Sequence, residues 1–403
     1  MAAPKLRFKE FSEDYNFSKF QEASIQIIDG DRGNNYPKSD DFYDNEYCLF
    51  LNAGNVTKSG FKFESTQFIN KEKDALLRKG KLQKNDLVIT TRGTVGNIAY
   101  FDESIPFENI RINSGMVIVR SEIDLEPIYL NQFLKSDLFE KWLEKNVFGS
   151  AQPQLTVKLL NSISISYPSK EEQIKITSFL SAVDEKISQL TQKHELLSQY
   201  KQGMMQKLFS QQIRFKADDG SEFGEWASEK ISKVFTNKSK SFNPLLNESL
   251  PCIELEHLSQ NTGQILGTVN SSDQQSTKNL FEPNSVLYGK LRPYLRKFAK
   301  PQFKGVCSSE IWVLTGLKIS NDYLFQFVQS EQFTELTNIQ SGSKMPRADW
   351  NVIADSEIEF PCLEEQTKIA NFLSAIDQKV EVVAQQIKQA KTWKKGLLQQ
   401  MFV

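Results

Sequence analysis

The chain repeats itself, and that repeat limits what it can fold into more than any other feature. Pro168 to Phe209 aligns without a gap on Pro361 to Phe402 at a constant offset of 193, and 17 of the 42 positions are identical. The identities include Glu171/Glu364, Glu172/Glu365, Gln173/Gln366, Phe179/Phe372, Leu180/Leu373, Ser181/Ser374, Asp184/Asp377 and Gly203/Gly396. Gly149-Ser150 and Pro153 keep that offset to Gly342-Ser343 and Pro346. Tyr129-Leu130, Gln132-Phe133, Ser136 and Phe139 match Tyr323-Leu324, Gln326-Phe327, Ser330 and Phe333 at an offset of 194. Earlier still, Leu6-Arg7-Phe8-Lys9 resembles Ile213-Arg214-Phe215-Lys216, and Leu87 to Arg92 resembles Val286 to Arg292. A chain of 403 residues with this pattern is two half-molecules. Each half is a divergent mixed domain followed by a better-matched helix.

The helices carry a coiled-coil seam. Ile176, Leu180, Val183, Ile187, Leu190, His194, Leu197, Lys201, Met204 and Leu208 step by alternating fours and threes. Ile369, Leu373, Ile376, Val380, Val383, Ile387, Ala390, Lys394, Leu397 and Met401 repeat the pattern. Apolar residues every 3.5 positions mark the face on which two helices supercoil. Two such helices in one chain can pair antiparallel and relate the halves by a pseudo-twofold axis. Ser169 with Glu172 predicts a capping box at the first helix, and Cys362 a weaker cap at the second. Lys201 and Lys394 sit on the seam. The plain reading is that their stems pack while their ammonium groups reach water; the sharper one is that they set register or meet a carboxylate. His194 reads as a packed histidine. Phe179, Phe372, Met205 and Leu398 fall beside the seam, where the plain reading is that they widen the intramolecular core and the alternative is a four-helix contact with a partner.

The remaining segments mix short strands and short helices, so the fold class is α+β. Asp86 to Ala99, Gly115 to Val119 and Ile311 to Leu314 read as strands, and Leu130 to Asn146 and Leu324 to Thr337 as helices. The expected divisions are a domain over 1–165, a helical spacer over 166–212, a second domain over 213–358 and a second spacer over 359–403.

Charges nearly cancel, with 49 Lys and Arg against 50 Asp and Glu, so any nucleic-acid surface must be a local patch. Two histidines, His194 and His257, and four scattered cysteines, Cys48, Cys252, Cys307 and Cys362, argue against a zinc finger. The cysteines read as reduced thiols of a cytoplasmic protein. No run of membrane-spanning length or signal-peptide core occurs. Phosphate loop, dinucleotide fingerprint, HExxH and GxSxG are absent, as is the Asn/Asp-Pro-Pro-aromatic motif of amino-methyltransferases. Asp184-Glu185-Lys186 and Asp377-Gln378-Lys379 fit the D-x-K end of a nuclease site only superficially. They flank the seam and read as helix-pairing charges. We therefore expect no catalytic, cofactor-binding or metal-binding residues.

The positive signal is basic and local. Lys290, Arg292, Arg296, Lys297, Lys300 and Lys304 fall in one stretch with no acidic residue, interleaved with Tyr294, Phe298 and Phe303. Arg78, Lys79, Lys81, Lys84 and Arg92 form a weaker counterpart in the first half. Clustered cations suit phosphates, and an arginine fork suits a guanine edge. Arg92 and Arg292 follow similar strands and are the expected base readers. Lys297 and Lys300 are the less constrained phosphate contacts. Thr94 and Asn97 lie in the loop beyond Arg92. Ser150, Gln152 and Gln154, with Ser343, Lys344 and Arg347, add donors and acceptors from two matching polar loops. The plain alternative for Arg292 is an ion pair within its own domain.

The segment P-x-x-E-E-Q-x-K-I-x-x-F-L-S-x-x-D-x-K, present at Pro168–Lys186 and Pro361–Lys379, resembles the conserved region of type I restriction-modification specificity subunits. So do Lys201-Gln202-Gly203-Met204-Met205 and Lys394-Lys395-Gly396-Leu397-Leu398. The resemblance covers essentially the whole chain. It implies a non-catalytic subunit that reads a bipartite double-stranded DNA target, one half per recognition domain, with the helices fixing the spacing. It implies docking of two modification subunits, on which S-adenosylmethionine is expected. A restriction subunit carrying ATP and magnesium can join them. Recognition domains diverge, so individual base-reading residues do not carry over. The alternative is a coiled-coil scaffold whose globular domains bind protein; the basic-aromatic stretch and the doubled motif favour DNA.

Overall fold

The structure, a computed structural model, describes residues 4–122, 124–147, 153–339 and 345–403. The chain divides into two units, one formed by Met1–Leu190 with Gln386–Val403 and the other by Thr191–Gln385. The long helix Lys170–Phe209 begins in the first unit, and the long helix Leu363–Met401 ends in it.

Each unit is built on its own four-stranded sheet, and the two sheets have matching order. In the first, the strand order is Ile25–Asp29, Met116–Ser121, Leu87–Thr90, Ile98–Tyr100, all antiparallel. In the second it is Phe235–Thr236, Ile311–Gly316, Val286–Gly289, Phe298–Ala299, again all antiparallel. The central strands are covered on both faces, so they read as unbroken apolar runs. Side chains alternate across a strand. Leu87, Ile89, Val117 and Val119 thus enter one core, while Val88, Met116 and Ile118 enter another. Val286, Tyr288, Trp312 and Leu314 are separated in the same way from Leu287, Ile311 and Val313.

The predicted strand over Asp86 to Ala99 is two strands joined by a loop that turns on Gly93 and Gly96, whose φ values are 71° and 88°. A Cβ on Gly96 would also meet Leu143 Cδ1 at 2.6 Å. The two predicted helices each divide at a serine. Pro127–Leu134 gives way to Asp137–Asn146, and Ser136 Oγ donates to Phe133 O. Asn321–Phe327 gives way to Glu331–Asn338, where Ser330 accepts from Phe333 N. Apolar periodicity runs through both breaks, so it could not reveal them.

The long helices pack antiparallel within each unit. In the first, Ile176, Leu180 and Val183 share a core with Leu397, Leu398 and Met401. In the second, Met205 and Leu208 share one with Ile369, Leu373 and Ile376. Of the seam residues, Leu180, Val183, Leu190, Leu373, Ile376 and Val383 are buried; Ile187, His194, Leu197, Val380 and Ile387 are half-buried. Phe179 rests on Phe8 and Trp393, and Phe372 on Phe215, so these rings do serve the intramolecular packing.

The seam lysines do not reach freely into water. Lys201 Nζ lies 2.5 Å from Asp377 Oδ1 and donates to Gln329 Oε1 at 2.7 Å. Lys394 Nζ lies 2.7 Å from both carboxylate oxygens of Asp184. Burial lowers the Lys201 pKa, and Asp377 opposes that shift. The D-x-K aspartates are therefore the lysines' partners.

The repeated Glu-Glu-Gln triplet ties each long helix to its own domain. Glu172 accepts from Arg7 Nε at 2.9 Å, Arg7 Nη2 at 2.7 Å and Tyr15 OH at 3.3 Å. Glu365 accepts from Arg214 at 3.1 and 2.7 Å and from Trp226 Nε1 at 3.2 Å. The predicted capping box is thus corrected: the Glu172 carboxylate serves an arginine 165 residues away. Gln173 accepts from Glu126 N and donates to Asp124 O and Pro168 O. Gln366 repeats this with Ser320 N, Lys318 O and Pro361 O.

Candidate nucleic-acid interface

Each unit closes a small clasp where its second central strand ends. In the first, Leu155 N donates to Thr91 O at 3.1 Å, laying the segment after residue 152 against the strand exit. In the second, Ala348 N donates to Lys290 O at 2.9 Å and Arg292 N to Pro346 O at 2.8 Å. The clasp brings Arg92 beside Gln154, and Arg292 beside Arg347, residues on separate loops in the sequence.

The four side chains are held differently. With the Gln154 amide oriented to suit its neighbours, its oxygen accepts from Arg92 Nη2 at 3.0 Å and Nε at 3.2 Å. Arg347 donates through Nε and Nη2 to Glu310, at 3.0 and 3.4 Å. Arg292 is exposed, left-handed at φ 52°, and among the described residues has no ion-pair partner. Glu310 pairs with Arg347.

The basic stretch separates into inward and outward members. Arg296 turns in to Gln329 O, and Lys297 Nζ donates to Leu255 O at 2.6 Å. Lys300 pairs with Asp322, and Lys304 with Glu282 at 3.1 Å. The expectation that Lys297 and Lys300 are less constrained than Arg292 is thus reversed. Each has a stem long enough to reach an acceptor of its own unit. Lys290 and Arg292 keep no side-chain partner among the described residues, and Tyr294 is exposed beside them. In the first unit Lys81 goes to Asp74 and Lys84 to Asp102 O. Asn97 Nδ2 donates to Val56 O at 2.9 Å, which holds the loop; Thr94 is exposed. Ser150, Gln152, Ser343 and Lys344 lie outside the described residues.

Two cations escaped the sequence reading as a pair. Asp31 accepts from Gly33 N at 2.7 Å and Arg78 N at 2.8 Å, and these backbone donors hold its carboxyl below the ordinary value. That fixes a loop on which Arg32 donates to Ser114 O at 3.3 Å. Gly115 O accepts in turn from Thr91 N, so Arg32 comes close to the clasp, while Arg78 is tied to the same loop through Asp31. Only the fold joins these segments.

A family model described as "Type I restriction modification DNA specificity domain" matches residues 24–199 and again 225–392. The type I restriction enzyme MjaVIII specificity subunit of Methanocaldococcus jannaschii is 25% identical over 296 residues, covering 68% of this chain and 69% of that protein. The EcoDI specificity subunit of Escherichia coli is 23% identical over 301 residues, covering 66% and 67%. Among solved structures, the S subunit of a type I restriction-modification system from M. genitalium shares the fold. Its TM-score is 0.61 at 13% identity, covering 100% of this chain and 99% of that one. A chain from a study of type I R-M complex assembly and conformational transition matches with a TM-score of 0.56 at 15% identity, covering 96% and 97%. With two matched copies spanning most of its length, this chain belongs to the family of type I restriction-modification DNA specificity domains.

Proposed function

We propose that this chain is the DNA-specificity subunit of a type I restriction-modification complex, each unit reading one half of a bipartite double-stranded target. The observation that carries the reading is the doubled domain: one sheet and one clasp occur twice, with different side chains on the clasps. Two similar but unequal readers suit two unequal half-sites. The chain itself supplies recognition, and catalysis belongs to its partners. Methyl transfer from S-adenosylmethionine falls to two modification subunits. ATP- and magnesium-dependent cleavage falls to a restriction subunit where one joins. Such a complex works in the cytoplasm; among the described residues no helix is long and apolar enough to cross a membrane.

The long helices are the proposed docking faces. Tyr200 in one unit and Trp393 in the other occupy the same repeat position, and each is more than half exposed, at 51% and 54%. In the second unit Leu196 and Val382 add exposed apolar area on the long helices. A matched site on each unit fits one modification subunit per unit. Co-purification with the genomically adjacent methyltransferase tests this. Two methyltransferase copies per chain are expected, reduced by Tyr200→Asp and Trp393→Asp. A chain that ignores that protein at micromolar concentration would overturn the docking assignment.

A further inference from the structure

We infer that each unit carries one guanine-reading arginine locked by a neighbour of its own unit: Arg92 held by Gln154, and Arg347 held by Glu310. The inference rests on the DNA-recognition reading above and names the residues that read. A guanidinium offers two useful edges, one formed by Nε and Nη2 and the other by Nη1 and Nη2. In both arginines the first edge is already taken, by the Gln154 oxygen in one case and the Glu310 carboxylate in the other. The second edge is left, on side chains exposed to solvent. Two parallel N–H donors in that plane match the O6 and N7 acceptors that guanine presents in the major groove. A side chain fixed beforehand gives up little rotamer freedom on docking, and an arginine's planar fork makes that fixation directional.

The two clasps use opposite arms. Arg92 comes from the strand exit and its support from the facing loop. In the second unit the facing loop supplies the arginine, Arg347, at the position of Gln154, and Glu310 supports it from the turn before Ile311–Gly316. The carboxylate also makes Arg347 a poor phosphate ligand, because Glu310 repels the phosphate while leaving the base edge approachable. Arg292 has no such support and stands next to Lys290, so it keeps a full, mobile charge suited to a phosphate. The two units therefore read different contexts, but each half of the target must contain at least one G·C pair.

The test uses the full chain in complex with its methyltransferase partner and a library of duplexes randomised over the target length. Single-base variants of the selected duplex are then titrated at two salt concentrations. Arg92→Ala and Arg347→Ala should each lose about 5- to 150-fold of discrimination at one G·C pair, in different halves of the target. The other half should keep its preference. Arg292→Ala should weaken all duplexes alike and reduce the salt slope by about 0.9. Glu310→Ala should lose the same preference as Arg347→Ala without lowering the salt slope, and Glu310→Gln, which can still accept, should restore most of it. Gln154→Ala should do the same for Arg92. Should an arginine-to-alanine chain not fold, Arg92→Lys and Arg347→Lys keep the charge and lose the fork, and must show the same local loss. Even loss across all variants for Arg92 or Arg347, or a single-base loss for Arg292, overturns the assignment. A wild-type complex that selects no sequence overturns it together with the DNA-recognition reading.

Discussion

At the scale of single residues, buried charges are placed where they hold loops and helix ends. Asp31 is 6% exposed and accepts two backbone N–H groups that fix the loop bearing Arg32. Its pKa is depressed in the folded chain. A depressed carboxylate contributes stability that is fully present above the unfolded pKa and is lost as pH falls through the folded one. Urea unfolding midpoints should therefore drop below about pH 4, and Asp31→Asn should flatten part of that acid limb. An unchanged limb in the variant would contradict the role of Asp31. The Arg7–Glu172 and Arg214–Glu365 pairs give the arginine shared by Leu-Arg-Phe-Lys and Ile-Arg-Phe-Lys the same task in each half. The residues were visible in the sequence, but the pairing was not. The partners lie 165 and 151 residues apart, and local spacing pointed Glu172 at Ser169 instead.

At the scale of elements, the seam was the most legible feature, because a 3.5-residue period over many turns has no competing explanation. Of the two readings its lysines allow, the contact with a carboxylate holds; the sequence places the aspartates beside the seam but does not join a given lysine to an aspartate of the other helix. The Lys201–Asp377 contact predicts a measurable coupling. Lys201→Met and Asp377→Leu should each destabilise by roughly 1.5–3 kcal/mol, the range for hydrogen bonds to charged groups. The double variant should cost less than the sum by at least about 0.5 kcal/mol. Additive effects in urea unfolding would return Lys201 to the solvent-facing reading. Leu373, fully buried in the core of its unit, should lose about 2–5 kcal/mol on truncation to alanine. Leu190→Asp should also be costly, at roughly 2–5 kcal/mol, because that side chain is only 8% exposed. Normal melting of either variant would contradict the seam's packing. The short elements were less legible: a break at a serine divides each predicted helix, and a two-glycine loop divides the predicted strand.

At the scale of the whole molecule, duplication set the architecture and was readable from residues alone. The clasps were not, because they join segments about 60 residues apart through a few backbone hydrogen bonds. The basic stretch misled for a related reason: composition counts charges, whereas the fold decides which of them turn inward. Four of its six cations are engaged within their unit, and the clasp rather than the stretch organises the interface. The central claim is that each unit reads one half of a bipartite target. Methylome sequencing of cells carrying the partner methyltransferase tests it most directly. The native chain is compared with one in which residues 227–360 are exchanged for the matching segment of another family member. The account predicts a methylated motif of two defined halves separated by unspecified bases, with one half changed by the exchange and the other retained. A contiguous motif, or an exchange that alters both halves or neither in a chain that still folds, would contradict it.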